Sequence, residues 1–196
     1  MAANIRGILL AAGYSTRFGS NKLLQPLPAG SSDAGVPIAL AAARHLLKVL
    51  PDSIAVVRPR AQKLGRLLRD AGCNTVVCKN AAEGMGTSLA AGVRAAADAD
   101  GWVITLADMP FVQPATIAMI VRAMEQGAEI AAPAIGGKRG HPVGFARAFF
   151  EALSSLRGDA GAREVLKQHP DRIALCEVDD PGVLQDIDQP SDLSAS

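Results

Sequence analysis

Leu10-Ala11-Ala12-Gly13-Tyr14-Ser15-Thr16-Arg17-Phe18-Gly19-Ser20-Asn21-Lys22 closes the apolar run that starts at Ile5. An apolar run of this length ending in a Gly- and Ser-rich stretch predicts a buried strand, Ile5–Ala11, followed by a loop. The loop has the chemistry of an anion site. Gly13 and Gly19 let the backbone turn its N–H groups toward a ligand. Ser15 and Thr16 add hydroxyl donors, and Arg17 and Lys22 add two cations. The motif is neither a Walker A loop nor G-x-G-x-x-G. Any one of these glycines alone suits an ordinary strand-to-helix loop. Two glycines, two hydroxyls and two cations within ten residues, directly after a strand, point to a phosphate.

Outward from this loop, strands and helices alternate. Helical patterns span Val36–Leu50, Gln62–Ala71, Thr87–Ala97 and Pro114–Gln126, the last with Pro at its first turn. Strand patterns span Ser53–Val57, Thr75–Cys78, Gly101–Leu106 and Ile130–Ala132. Such alternation predicts βαβ crossovers and a three-layer α/β/α sandwich with a mostly parallel, Rossmann-like sheet. Beyond Gly136 the rhythm breaks: a turn at 136–140, a strand at Pro142–Phe145, helices at Ala148–Leu156 and Gly161–Gln168, a strand at Ile173–Val178 and an acidic connection at Asp179–Asp188. Pro28–Gly35 reads as an exposed polar excursion.

The 196 residues fit one domain. Twenty Lys and Arg face nineteen Asp and Glu, so no basic stripe suggests nucleic acid and no charge excess suggests an anionic membrane. Cys73, Cys78 and Cys176 are odd in number and lack C-x-x-C spacing, which predicts buried thiols in a reducing compartment. With no apolar stretch of membrane-spanning length and no signal-like segment, the expected location is the cytoplasm.

Asp108, in Leu106-Ala-Asp108-Met-Pro110, follows the fourth strand at the same sheet edge as the Gly13 loop. A lone Asp there commonly caps a helix. Asp186-Ile187-Asp188 offers two further carboxylates, and Mg²⁺ on a triphosphate needs one or two. Asp108 is the expected first ligand and Asp188 the second, with Asp186 behind them. In the stretch Asn80–Ser88, Gly84, Gly86, Thr87 and Ser88 place backbone N–H groups and hydroxyls at a helix start, suited to a base edge or phosphate or simply to capping. His141 and Pro142 lie in Gly140-His-Pro-Val143, and Asp159, Gly161 and Arg163 in Gly158-Asp-Ala-Gly-Ala-Arg163.

These strings together resemble a known family. Leu10–Lys22 matches every fixed position of the L-A-A-G-x-S-x-R-x-G-x-x-K signature of the nucleotidyltransferase superfamily. Leu106–Pro110 resembles the metal-binding D-M-P turn of the molybdenum cofactor nucleotidyltransferases, and Asp186–Leu193 resembles their closing D-[IV]-D-T-P-E-D-L, with Gln189 for Thr and Ser191 for Glu. The G-H-P-V and G-D-x-G-A-R strings are similar to those of the cytidylyltransferase branch. The resemblance spans Leu10 to Leu193, with Pro28–Gly35 as an insertion and Gly35-Val-Pro37 in place of a Gly-Lys-Pro turn.

The resemblance implies the nucleotide-diphospho-sugar transferase fold, with residues 1–112 as the nucleotide half and 113–196 as the acceptor half carrying the last metal ligand. It implies Arg17, Lys22 and Asp108 as catalytic residues, and Leu10, Ala11, Ala12, Gly13, Ser15, Asn80, Gly84 and Ser88 beside Arg17 and Lys22 on the nucleotide. His141, Pro142, Asp159, Gly161 and Arg163 fall to a molybdopterin-type acceptor. A molybdoenzyme or its chaperone is the implied transient partner.

The expected reaction is in-line attack of an acceptor phosphate oxygen on the α-phosphorus of an NTP, with Mg²⁺ offsetting charge and Arg17 holding the leaving pyrophosphate. Ala12, where guanylyl-transferring relatives carry Gly, narrows the base slot toward CTP by ~1–3 kcal/mol. GTP with the same pterin, or transfer to a sugar or alditol phosphate, are the alternative enzymes. A nucleotide sensor or pterin carrier would have no use for a metal site aimed at a triphosphate. An NAD-binding protein would want G-x-G-x-x-G and an acidic residue about 20 positions on, and the sequence has neither.

Overall fold

The computed structural model describes residues 3–14 and 21–193. Strand β1 (Ile5–Ala11) pairs in parallel with β2 (Ile54–Val57) on one side and β4 (Gly101–Leu106) on the other, and β3 (Asn74–Val77) extends the sheet beyond β2. Helices α1 (Ile38–Leu47), α2 (Gln62–Asp70) and α3 (Met85–Ala95) are the crossovers, and α4 (Pro114–Glu125) follows β4. The remaining strands are β5 (Ile130–Ile135), β6 (Lys138–Arg139), β7 (Val143–Ala146) and β8 (Ile173–Glu177). The eight-stranded sheet runs β3-β2-β1-β4-β7-β5-β6, with β8 parallel to β5.

The expected mostly parallel three-layer sandwich is the observed one. Strands β1, β2 and β4 bury both faces, which is why they read as unbroken apolar runs. Leu9, Ala55, Val57 and Val103 face a core with α1, α2 and α4. Ile8, Ile54, Val56 and Ile104 face the opposite core with α3. Each fully buried Ile or Leu contributes roughly 1.5–3 kcal/mol. Buried Trp102 keeps its indole satisfied by donating to the Ala96 carbonyl (3.0 Å). Gly92 lets α3 lie close on the sheet, since a Cβ there would come within 2.7 Å of Ile8 and 2.9 Å of Val56.

Strand β7 enters antiparallel between β4 and β5, pairing Ile104 with Val143 and Ile130 with Phe145. Strand β5 runs three residues past the predicted Ala132, because its later residues pair with both β6 and β8. The predicted turn at 136–140 tightens to Gly136-Gly137, both at positive φ (+56° and +75°), so β6 can fold back. Helix Ala148–Leu156 divides into a 3₁₀ turn (Arg147–Phe149) and α5 (Phe150–Ser154), while Gly161–Gln168 forms α6 as predicted. Cys73 and Cys78 are buried as expected, but Cys176 is part-exposed, because β8 pairs with β5 along one edge. No helix among the described residues is long and apolar enough to cross a membrane.

The sheet positions the site. From β1 the chain steps outward through β2 to β3, then returns to β4 on the other side of β1. That reversal opens a crevice at the carboxyl ends of β1 and β4, where open α/β sheets bind ligands.

Candidate active site

Ala12 and Gly13 leave the end of β1, and Ala107 and Asp108 leave the end of β4. The Ala107 N–H donates to the Leu10 carbonyl (3.1 Å), holding the two exits side by side. Lys22 opens a 3₁₀ turn (Lys22–Leu24) beneath them. The C-terminal segment returns to the same point, with the Ile187 N–H donating to the Asp108 carbonyl (2.9 Å). Ile187 is buried, which anchors the segment and leaves the flanking Asp188 at the crevice.

Lys22 is buried, with 6% of its surface exposed. Its Nζ donates to Asp108 Oδ2 (2.9 Å) and to Asp188 Oδ1 (3.2 Å). Burial alone would lower the ammonium's pKa, but Asp108 and then Asp188 outweigh it and raise it above the ordinary lysine value. Asp192 braces this arrangement. Its Oδ2 accepts the N–H groups of Gln189 (2.7 Å) and Asp188 (2.8 Å), which hold its carboxyl below the usual range.

The Lys22 ammonium shows that both carboxylates can serve one positive centre, which is the demand a divalent cation would make. Among the described residues no group of three His, Cys, Asp or Glu could cage a metal. A cation held by Asp108 and Asp188 would therefore complete its shell with phosphate oxygens and water, the usual manner of Mg²⁺. The residues fit such an ion.

The crevice forms a cleft of about 320 Å³, within the range of small-ligand sites. Leu10, Ala12, Gly13, Lys22, Gly84, Ser88, Asp108 and Asp159 all line it. Asp159 thus stands beside the Gly13 loop. It arrives there because Gly84 and Gly86, at the start of α3, accept the 158–161 segment: the Gly86 N–H donates to the Gly158 carbonyl (2.8 Å), and the Gly158 N–H to Thr87 Oγ1 (3.1 Å). Gly161 is buried on the same seam, while Arg163 is exposed and lies outside the cleft lining. Ala11 is buried in the sheet, and Asn80 is exposed beyond the lining. Asp186 is exposed and lies outside the cleft lining. Ser15 and Arg17 lie outside the described residues.

His141 and Pro142 border a small adjoining cavity with Thr105, Leu106 and His45. His141 Nδ1 is buried without a hydrogen-bond partner. Burial pushes its pKa down, against an upward pull from Asp108. Across this cavity His45 Nδ1 donates to the Val112 carbonyl (2.9 Å), and its Nε2 lies 3.3 Å from Asp33 Oδ2. Asp33 belongs to the 28–35 excursion, which is therefore tied to the loop that follows Asp108.

Several residues here escaped the sequence. Tyr14 lines the cleft mouth at 47% exposure, with the Arg58 guanidinium 4.6 Å from its ring centroid. Met85 lines the same cleft and is 50% exposed. Asp192 carried a legible signal, an Asp closing the turn after Pro190, and so did Asp180, an Asp before Pro-Gly.

Residues 7–173 match the model of the MobA-like NTP transferase domain. The chain belongs to that family. It is a nucleotidyltransferase by that membership. Purine catabolism protein PucB of Bacillus subtilis strain 168 is 32% identical, covering 95% of this chain and 92% of its own length. Nicotine blue oxidoreductase of Paenarthrobacter nicotinovorans is 28% identical, over 94% of this chain and 92% of that one. Among solved structures, Rv0371c from Mycobacterium tuberculosis H37Rv superposes with a TM-score of 0.78 at 27% identity, covering 99% of this chain and 97% of its own. Rv0371c has also been solved in complex with manganese.

Proposed function

We propose that this nucleotidyltransferase moves CMP from CTP to a phosphate oxygen of a molybdopterin-type acceptor, releasing pyrophosphate, with Mg²⁺ as its metal. The observation that carries the reaction class is the convergence of Lys22, Asp108 and Asp188 at the switch point, beside the Gly13 loop. The choice of CTP rests on Ala12, a cleft-lining residue that is 4% exposed. The acceptor rests on the Gly140–Val143 and Gly158–Arg163 strings. A manganese complex of a related structure supports a divalent metal.

Asp108 and Asp188 would hold the Mg²⁺, which when bound neutralises charge on the triphosphate. Backbone N–H groups at Gly13 and at the start of α3 would orient the nucleotide. Lys22 would hold the α-phosphate against the incoming oxygen, and Arg17 the leaving pyrophosphate. An acceptor phosphate oxygen forms the new P–O bond as the bond to pyrophosphate breaks. A phosphate monoester is already ionised near neutral pH and needs no general base. Within this scheme residues 1–112 bind nucleotide, 113–196 bind acceptor and supply the metal ligand Asp188, and the reaction is cytoplasmic.

The test is pyrophosphate release from CTP, GTP, UTP and ATP, each with Mg²⁺ and a molybdopterin acceptor. CTP is expected to lead by about tenfold or more, the scale set by one methyl in a pocket. A preference for GTP would overturn the role of Ala12.

A further inference from the structure

We infer that Asp180 is the positioning residue of the metal site: one buried carboxylate locks the turn that carries Asp108 to the segment that carries Asp188. The inference rests on the proposed role of those two aspartates as metal ligands. Asp180 is 5% exposed. Its Oδ2 accepts the Gln113 N–H (2.9 Å) and the Thr116 hydroxyl (2.6 Å), and its Oδ1 accepts the Gly182 N–H (3.1 Å). Gln113 and Thr116 lie just past the Asp108-Met-Pro110 turn, at the start of α4. Gly182 lies just before Asp186-Ile-Asp188. Oδ1 therefore fixes the local turn that leads toward Asp186-Ile-Asp188, and Oδ2 crosses to the start of α4.

All three donors are neutral, so this buried carboxyl is held by hydrogen bonds and not by an ion pair with any of them. Such burial is costly unless the geometry is fixed. The surrounding backbone fixes it. A Cβ on Gly182 would collide with the Phe111 carbonyl, and one on Gly140 with the Val183 carbonyl, so the three strands of chain touch directly. The Val183 carbonyl accepts the His141 N–H (3.0 Å). From this knot the chain needs only four residues to reach Ile187 and its bond to the Asp108 carbonyl. Displacing the knot would shift Asp188 relative to Asp108, and partners of this kind typically change metal affinity 10–100-fold.

Asp180→Asn separates bridging from mere burial. Asn keeps one acceptor oxygen and turns the other into a donor, so it loses either the crossing to Gln113 and Thr116 or the local turn at Gly182 that aims the crossing. Mn²⁺ binding to the full chain would be titrated by electron paramagnetic resonance, alongside amide exchange at Ile187 and at Ile104 in β4. In folded Asp180→Asn, Mn²⁺ affinity is expected to fall at least tenfold and Ile187 exchange to quicken about tenfold, with Ile104 unchanged. Wild-type affinity and Ile187 protection would overturn the inference. Thr116→Val removes one donor and leaves the bridge, so a loss within threefold is expected. A loss as large as that of Asp180→Asn would also overturn it. If Asp180→Asn does not fold, Thr116→Val decides alone: a two- to threefold change at Ile187 supports the bridge and none refutes it. A wild-type chain without a Mn²⁺ site would refute the metal reading instead, while Ile187 exchange still reports the lock.

Discussion

Lys22 Nζ and Asp108 Oδ2 lie 2.9 Å apart, although 86 residues separate them and they leave two different strands of the sheet. Only the switch point between β1 and β4 brings those loops together, so the contact belongs to the fold and not to local sequence. Asp188, from the far end of the chain, completes the group at 3.2 Å. A buried ammonium between two carboxylates leaves one negative charge over, which a divalent cation would offset as a triphosphate enters.

Lys22→Met removes that cation and leaves two carboxylates facing each other. Nucleotidyl transfer is expected to fall about 100-fold or more in kcat, the scale of losing one preorganised charge donor. Steady-state pyrophosphate release checks this, with circular dichroism confirming the fold.

Gly84 sits at φ +129°, and a Cβ there would strike Asp159 Oδ1 and the Gly158 backbone. Gly84→Ala is expected to destabilise the chain by about 1–3 kcal/mol. For a domain of this size that is a Tm lower by roughly 3–10 °C. Because Gly84 itself lines the nucleotide cleft and the clash shifts its backbone against the 158–159 segment, KM for the nucleotide should rise in the same variant. Thermal melting and nucleotide kinetics test the two parts separately.

His141 titrates below the ordinary histidine value because it is buried. A depressed folded pKa means the neutral form is favoured in the native state, so its contribution is present above pH ~6.5 and lost as pH falls below it. Wild type is expected to lose more Tm between pH 8 and pH 5.5 than His141→Gln does. Equal losses would show that His141 does not carry the effect.

The order of β1, α1, β2, α2, β3, α3 and β4 was legible because β1, β2 and β4 bury both faces, the edge strand β3 keeps a short β-branched run, and turn residues separate the elements. Asp108 and Lys22 were legible for the same reason, since residues just past a strand's carboxyl end fall at the crevice wherever the strand sits. The place of β7 was not. Nothing in Val143–Ala146 states that it inserts antiparallel between β4 and β5, because that choice depends on partners about 40 residues earlier and 15 earlier. Asp180 read as one more acid in a polar connection, since its three donors lie in two separate segments. The resemblance gives Asp159 to the acceptor, and the sequence does not show that the glycines of α3 bring it to a cleft shared with Gly13. Local pattern identifies the residues that end a strand. Only the packed chain shows which carboxylates meet.

The most direct test is metal-dependent pyrophosphate release from CTP and acceptor by wild type, Asp108→Ala and Asp188→Asn, each assayed before and after chelation. Wild type is expected to need the divalent metal, and both variants to lose about 100-fold or more of the rate while keeping their fold. Unchanged release after chelation, or Asp108→Ala turning over like wild type with the same metal requirement, would contradict a transfer centre built on Lys22, Asp108 and Asp188.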